Sequence, residues 1–189
     1  MTILCSATDP RWAAAALAAF DRTLGDHAHC EKKAAASALK LVADHPDRPG
    51  LVRALAKLAQ EETQHFLAVL VELQRRGVPL PPDPGDPYVR QLLALVRHGP
   101  DRLLDRLLVA ALVEARSCER LAILGEALAE PGLRVLYRRL AASEGGHERL
   151  FVQLAGEVAG EAVALRRLTE LASAEARIVA ALPLEPRIH

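Results

Sequence analysis

Glu62-Thr63-Gln64-His65 and Glu144-Gly145-Gly146-His147 are the two stretches on which the fold turns. Each follows a lone glutamate, Glu31 in the first copy and Glu114 in the second. The interval from lone glutamate to motif is the same in the two copies to within one position, and the second copy repeats the first at a constant offset to the same tolerance. Residues i and i+3 share a helix face, so Glu62 with His65, and Glu144 with His147, can each converge on one point. A helix rises ~1.5 Å per residue. Glu31 lies roughly 14 residues before the turn that follows His45 and Glu62 roughly 12 after it, so a helical hairpin brings them to nearly the same height. Glu114 and Glu144 straddle a turn at Pro131 in the same way.

Working outward, the chain reads as helix. Asp9-Pro10 is a helix start, an N-cap followed by proline in the first turn. Helical sequence runs from 11 to about 45, with a candidate break near Gly25. Turn residues fill 44–50, and a second helix spans 51 to about 76, ended by Gly77. Its apolar positions Leu55, Leu58, Ala59, Phe66, Val69, Leu70 and Leu73 recur at helical spacing. Residues 78–87 hold five prolines and exclude regular helix. A short connecting helix is expected over 88–98, stopped by Gly99-Pro100. Long helices then follow from 101 to about 128 and from 133 to about 158, and Gly160 separates a last one over 161–182. No segment alternates with period two, so the class is all-α. Two halves, about 11–77 and 101–158, repeat one plan and are joined by a single long crossover. Hairpins joined in this way, with extra connecting and terminal helices, form a ferritin-like four-helix bundle, expected as one domain over 1–189.

Composition agrees. The 189 residues are 51% hydrophobic but only 3% aromatic, and Ala and Leu favour helix. Formal net charge is zero, so nothing global attracts nucleic acid and any such contact must be a local basic patch. Cys5, Cys30 and Cys118 form no C-x-x-C pair, which reads as reduced and cytoplasmic. No secretory signal or membrane span is expected; the apolar run 13–20 is too short to cross a bilayer.

Four carboxylates and two imidazoles at one level of a helical bundle are a dinuclear metal ligand set. Four carboxylates offset the charge of two divalent ions, and without metal so many acids in a core would be costly. Hard oxygen donors with imidazole suit iron or manganese, and no thiolate layer suggests a structural zinc site. In the usual geometry Glu62 and Glu144 bridge, Glu31 with His65 completes one iron, and Glu114 with His147 completes the other. One Glu-x-x-His alone is usually a solvated helix face; the matched duplication sets this pair apart. Glu119 is a rival to Glu114, but its shorter interval to Glu144 breaks the repeat. His27, one turn before Glu31, is either a partner behind the ligands or a surface histidine, and its counterpart in the second half is Ala110. His29, His45, His98 and His189 read as surface or loop residues. Gly145 and Gly146 permit a close backbone approach or a helix bulge, or are neutral.

Several stretches carry a more specific signal: His27-Ala28-His29-Cys30-Glu31-Lys32-Lys33-Ala34-Ala35, Asp47-Arg48-Pro49, Glu114-Ala115-Arg116-Ser117-Cys118-Glu119-Arg120, and Leu136-Tyr137-Arg138 through Ser143-Glu144 to His147. Through them the chain resembles the bacterial tRNA 2-methylthio-N6-isopentenyladenosine hydroxylases over roughly residues 10–180; Gly145-Gly146 departs from the family's pattern. The resemblance implies a di-iron monooxygenase that uses O2 to hydroxylate the isopentenyl group of a hypermodified adenosine in tRNA. The second oxygen atom leaves as water, so two electrons must come from an external donor, a reductase or ferredoxin-type partner. Candidate tRNA phosphate contacts are Lys32, Lys33, Arg116, Arg120, Arg138 and Arg139; the alternative is that they are solvated or pair with acids such as Glu119. The competing reading is a ferritin- or rubrerythrin-like iron oxidase or peroxidase without an RNA substrate.

Overall fold

The computed structural model describes residues 2–189, and among them the ordered elements are helices: α1 (Trp12–Ala18), α2 (Phe20–Asp44), α3 (Pro49–Arg75), α4 (Pro87–Leu93), α5 (Arg102–Ala127), α6 (Pro131–Ala159) and α7 (Glu161–Ala181). Among the described residues no helix is long and apolar enough to cross a membrane. The chain divides into two compact units: Ala16–Pro84 with Pro186–Ile188, and Gly85–Glu185 with the N-terminal segment up to Ala15 and with His189.

In the first unit α2 and α3 form an antiparallel hairpin over the turn at 45–48. Leu24, Ala28, Ala35, Ala38 and Leu41 of α2, and Leu51, Leu55, Leu58, Val69 and Leu73 of α3, are buried. Pro49 starts α3, where its missing N–H costs nothing. Gly77 ends it at φ 69°: the Gly77 N–H reaches Gln74 O at 3.0 Å and the Val78 N–H reaches Leu73 O at 2.9 Å, so the last carbonyls are satisfied by a left-handed cap.

The break expected near Gly25 lies instead at Ala19, whose φ of −127° and ψ of 47° leave the helix. Thr23 Oγ1 bridges that kink by donating to Ala16 O at 2.9 Å. Gly25 is continuous helix and serves a different need. A Cβ there would stand 2.6 Å from Pro81 Cγ, so its bare backbone admits the proline-rich crossover. The crossover is tied down by His29, whose Nε2 donates to the Pro81 carbonyl at 2.8 Å while Nδ1 accepts from Lys32 Nζ at 2.9 Å. Lys32 and Lys33 also reach Asp83, at 3.4 and 3.5 Å. His29 is therefore buried, not a surface residue as expected.

In the second unit α5 and α6 form the matching hairpin, joined over 128–130, with α7 and α4 packed beside α5. Two buried acids fasten the connections. Asp105 accepts from Arg97 N and Nε at 2.9 Å and from Arg167 Nη2 at 2.9 Å. Glu175 on α7 accepts from Tyr88 Oη at 3.0 Å and from Arg116 Nη2 at 2.8 Å. The connecting helix is shorter than expected. After Leu93 the chain tightens into i→i−3 bonds, Leu95 N to Leu92 O and Val96 N to Leu93 O, and Asp105 then captures the Arg97 N–H. His189, expected on the surface, has a buried ring that stacks on Tyr88 with centroids 5.4 Å apart and meets Ser117 Oγ at 2.7 Å.

Candidate metal centre

Each unit gathers one copy of the repeated pattern. In the first, Glu31 comes from the middle of α2, and Glu62 and His65 come from one face of α3. Their ligand atoms lie within 4.8 Å of one another. His65 Nδ1 is 3.6 Å from Glu31 Oε2 and 3.6 Å from Glu62 Oε2. Glu62 is fully buried and Glu31 nearly so. The apolar residues Leu55, Leu58, Ala59 and Val69 that flank them along α3 pull this face inward, so the helix's amphipathic pattern itself delivers two carboxylates to the interior.

His27, also fully buried, stands behind Glu31 with its Nε2 2.6 Å from Glu31 Oε1. Of the two readings the sequence left open, the buried partner is the one observed. Burial alone would raise the Glu31 pKa. The hydrogen bond from His27, then the contacts with His65, the His27 charge and Glu62, outweigh it and hold the carboxyl below the ordinary carboxylate range.

In the second unit Glu114 of α5 meets Glu144 and His147 of α6, all three buried and with ligand atoms within 4.8 Å. His147 Nδ1 lies 3.3 Å from Glu144 Oε2. Around Gly145 and Gly146 α6 remains regular α-helix without a bulge. A Cβ on Gly145 would stand 3.4 Å from Cys118 Sγ and 3.6 Å from Arg149 Nη1, ordinary contact distances. Burial, with the Glu148 and Glu144 charges, raises the Cys118 thiol above its usual range.

Glu119, the rival to Glu114, points elsewhere. It accepts from Thr8 Oγ1 and from Arg116 Nη1. That engagement also corrects the expectation for Arg116. Its guanidinium is fully buried and held by Glu175, Glu119, Thr8 and the Ser6 carbonyl, so it is an internal brace with no access to a phosphate. Arg120 belongs to the same cluster, half-buried, with its guanidinium 5.1 Å above the Trp12 ring. Lys32 and Lys33 are partly exposed beside Asp83, Arg138 is exposed and paired with Glu126, and Arg139 is exposed. The signal that could have revealed Arg116 is weak: it falls two positions after Glu114, on the far side of α5, amid polar and charged neighbours that read as a solvated face.

The donor set tests well against a metal. Each half supplies two carboxylates and one imidazole, a charge of minus two for one divalent ion, in a buried setting where uncompensated carboxylates would be costly.

Comparisons with known proteins point the same way. A solved structure described as Protein 43 with aldehyde deformylating oxygenase activity, from Synechococcus, superimposes with a TM-score of 0.94 over 100% of this chain and 96% of that one, at 39% identity. The fold class is thus all-α and ferritin-like, as the sequence predicted. A tRNA 2-(methylsulfanyl)-N(6)-isopentenyladenosine(37) hydroxylase of Pseudomonas putida is 39% identical over 183 residues, 96% of this chain and 89% of that protein. The enzyme of the same description from Salmonella typhimurium is 33% identical over 147 residues, 77% of this chain and 54% of that longer protein. The family model described as tRNA-(MS[2]IO[6]A)-hydroxylase (MiaE) matches residues 1–189, and the chain belongs to that family.

Proposed function

We propose that the protein is an O2-dependent di-iron monooxygenase, acting as one catalytic domain, that hydroxylates the isopentenyl side chain of 2-methylthio-N6-isopentenyladenosine in tRNA. The observation that carries this is the whole-chain family match on a chain whose two units each assemble a Glu, Glu, His triad with buried carboxylates. Glu31, Glu62 and His65 would hold one iron, and Glu114, Glu144 and His147 the other. Bound iron would supply the oxygen activation that no side chain can provide.

The remaining tasks fall to the chain. His27 orients Glu31. The apolar lining from Leu55, Leu58 and Val69 keeps water from the α2–α3 triad. The exposed or partly exposed cations Lys32, Lys33, Arg138 and Arg139 are the phosphate contacts that we retain for tRNA. Hydroxylation consumes O2, two electrons and two protons, yields the alcohol and water, and therefore requires an external electron donor, which we take to be a reductase or ferredoxin-type protein.

The test is incubation of iron-loaded, reduced protein with O2 and tRNA bearing the isopentenyl modification, followed by digestion of the RNA. A gain of one oxygen atom on that nucleoside is expected. Iron oxidation with no change in the nucleoside would favour an iron oxidase or peroxidase instead. The similarity to the Synechococcus protein makes an aldehyde substrate the second arm of the same assay.

A further inference from the structure

The two triads are chemically alike and differently supported. In the first unit Glu31 uses its two oxygens separately: Oε1 lies 2.6 Å from His27 Nε2, and Oε2 faces His65. Both side chains are buried, His27 completely, so solvent does not compete for this bond. The residues sit one helical turn apart, an arrangement that α2 keeps rigid without help from any loop. In the second unit position 110, one turn before Glu114, is alanine, so the histidine that serves Glu31 has no counterpart on α5.

We propose that His27 is a positioning residue that acts on one metal site and leaves the other untouched: it engages Glu31 Oε1 and so presents Oε2 alone toward Glu62 and His65, a constraint that Ala110 cannot reproduce in the second half. This rests on the di-iron reading above. A carboxylate fixed as a one-oxygen ligand gives a tighter and less adaptable site than one whose two oxygens can exchange roles as other groups come and go. Outer partners that orient a ligand are commonly worth about 10–100-fold in metal affinity.

The experiment is anaerobic titration of metal-free protein with Fe(II) by equilibrium dialysis, repeated with Co(II) to follow the ligand-field spectrum of each site. The native protein should bind two ions per chain. His27→Ala should weaken one of them by about 10–100-fold and leave the other within about twofold. His27→Gln, whose amide can donate from nearly the position of Nε2, should recover most of the loss. Should the alanine variant fail to fold, His27→Asn, whose amide is too short to reach, takes its place against His27→Gln. A purely structural role would lower the unfolding midpoint of both variants without separating the two affinities. Binding of both ions as in the native protein, or equal weakening of both, overturns the proposal. Fewer than two ions bound by the native protein overturns the di-iron reading itself, a result separable from the variant's behaviour.

Discussion

The α2–α3 hairpin and the α5–α6 hairpin present the same three candidate ligand types on matched spacing, yet they are held by different means. The first is braced by hydrogen bonds and close packing, with exposed or partly exposed lysines at its edge: a His29 bond to a carbonyl, prolines packed on Gly25, His27 against Glu31, and Lys32 and Lys33 beside Asp83. The second is braced by buried charge, with Arg116 between Glu175 and Glu119, and Asp105 between Arg97 and Arg167. The comparison teaches that the repeat preserves the ligands while leaving each helix pair to find its own scaffold. The first scaffold should therefore lose stability in small steps when its contacts are cut singly. The charged one should lose more at a single cut, because removing an acid leaves a buried cation short of compensation.

The largest effect should come from the ligands. On the proposed di-iron reading, Glu31→Ala and Glu114→Ala should each lose one of two irons and lower hydroxylation by more than ~100-fold, beyond what loss of an outer partner costs. Metal analysis per chain alongside turnover checks this. If Glu119→Ala loses an iron and Glu114→Ala keeps two, the symmetry between the halves is broken.

Next comes Glu175→Ala, which leaves the buried Arg116 with Glu119 as its remaining acid and should destabilise by about 3 kcal/mol in urea unfolding. The double change Arg116→Met with Glu175→Leu should recover most of that loss, since a well-packed apolar pair can replace a buried ion pair. Recovery would separate structural cost from any role of the charges in binding.

Asp105 makes the same contrast depend on pH. Burial by itself would raise its pKa, but the hydrogen bonds from Arg97 and Arg167 prevail and hold the carboxyl below its usual range. A carboxyl that binds its proton less tightly folded than unfolded contributes stability above its unfolded pKa, and that stability disappears as pH falls below about 4. Unfolding curves from neutral to acid pH should therefore converge for the native protein and Asp105→Asn as acid is added. Parallel curves would show that Asp105 contributes no linkage.

Around the crossover His29→Ala removes two hydrogen bonds and should cost about 1–2 kcal/mol, at roughly 0.5–1.5 kcal/mol for each bond. Smallest, and of opposite sign, is Gly146→Ala. A Cβ there meets nothing closer than Arg149 Nη2 at 4.0 Å, so gaining alanine in a helix interior should stabilise by roughly 0.5–1 kcal/mol. A loss of stability there would mean that the glycine is required by its neighbours.

The helices and the residues brought together in each half are legible in the sequence because both depend on short-range periodicity. Glu62 and His65 share a face by spacing alone, and the apolar residues around them decide that the face points inward. What stays hidden depends on partners far along the chain. Arg116 reads as a phosphate contact because its partner Glu175 lies 59 residues away, on another helix. His29 reads as superficial because the carbonyl that it binds is 52 residues distant. The break at Ala19 carries no proline or glycine and is made good by Thr23, a local bond that periodicity does not report. His27 lies between these cases: its spacing to Glu31 is visible, whereas its complete burial is not.

The crossover at 78–86 has a consequence for the unfolded chain as much as for the folded one. Four of its residues, Pro79, Pro81, Pro82 and Pro84, have φ fixed before folding begins, so little backbone freedom remains to be lost when the segment settles over Gly25. A stretch that is neither helix nor strand thereby joins the first unit at small entropic cost. The long link between the two repeats behaves as a stiff strap, and the conformational freedom usually expected of such a connection is already absent from its sequence.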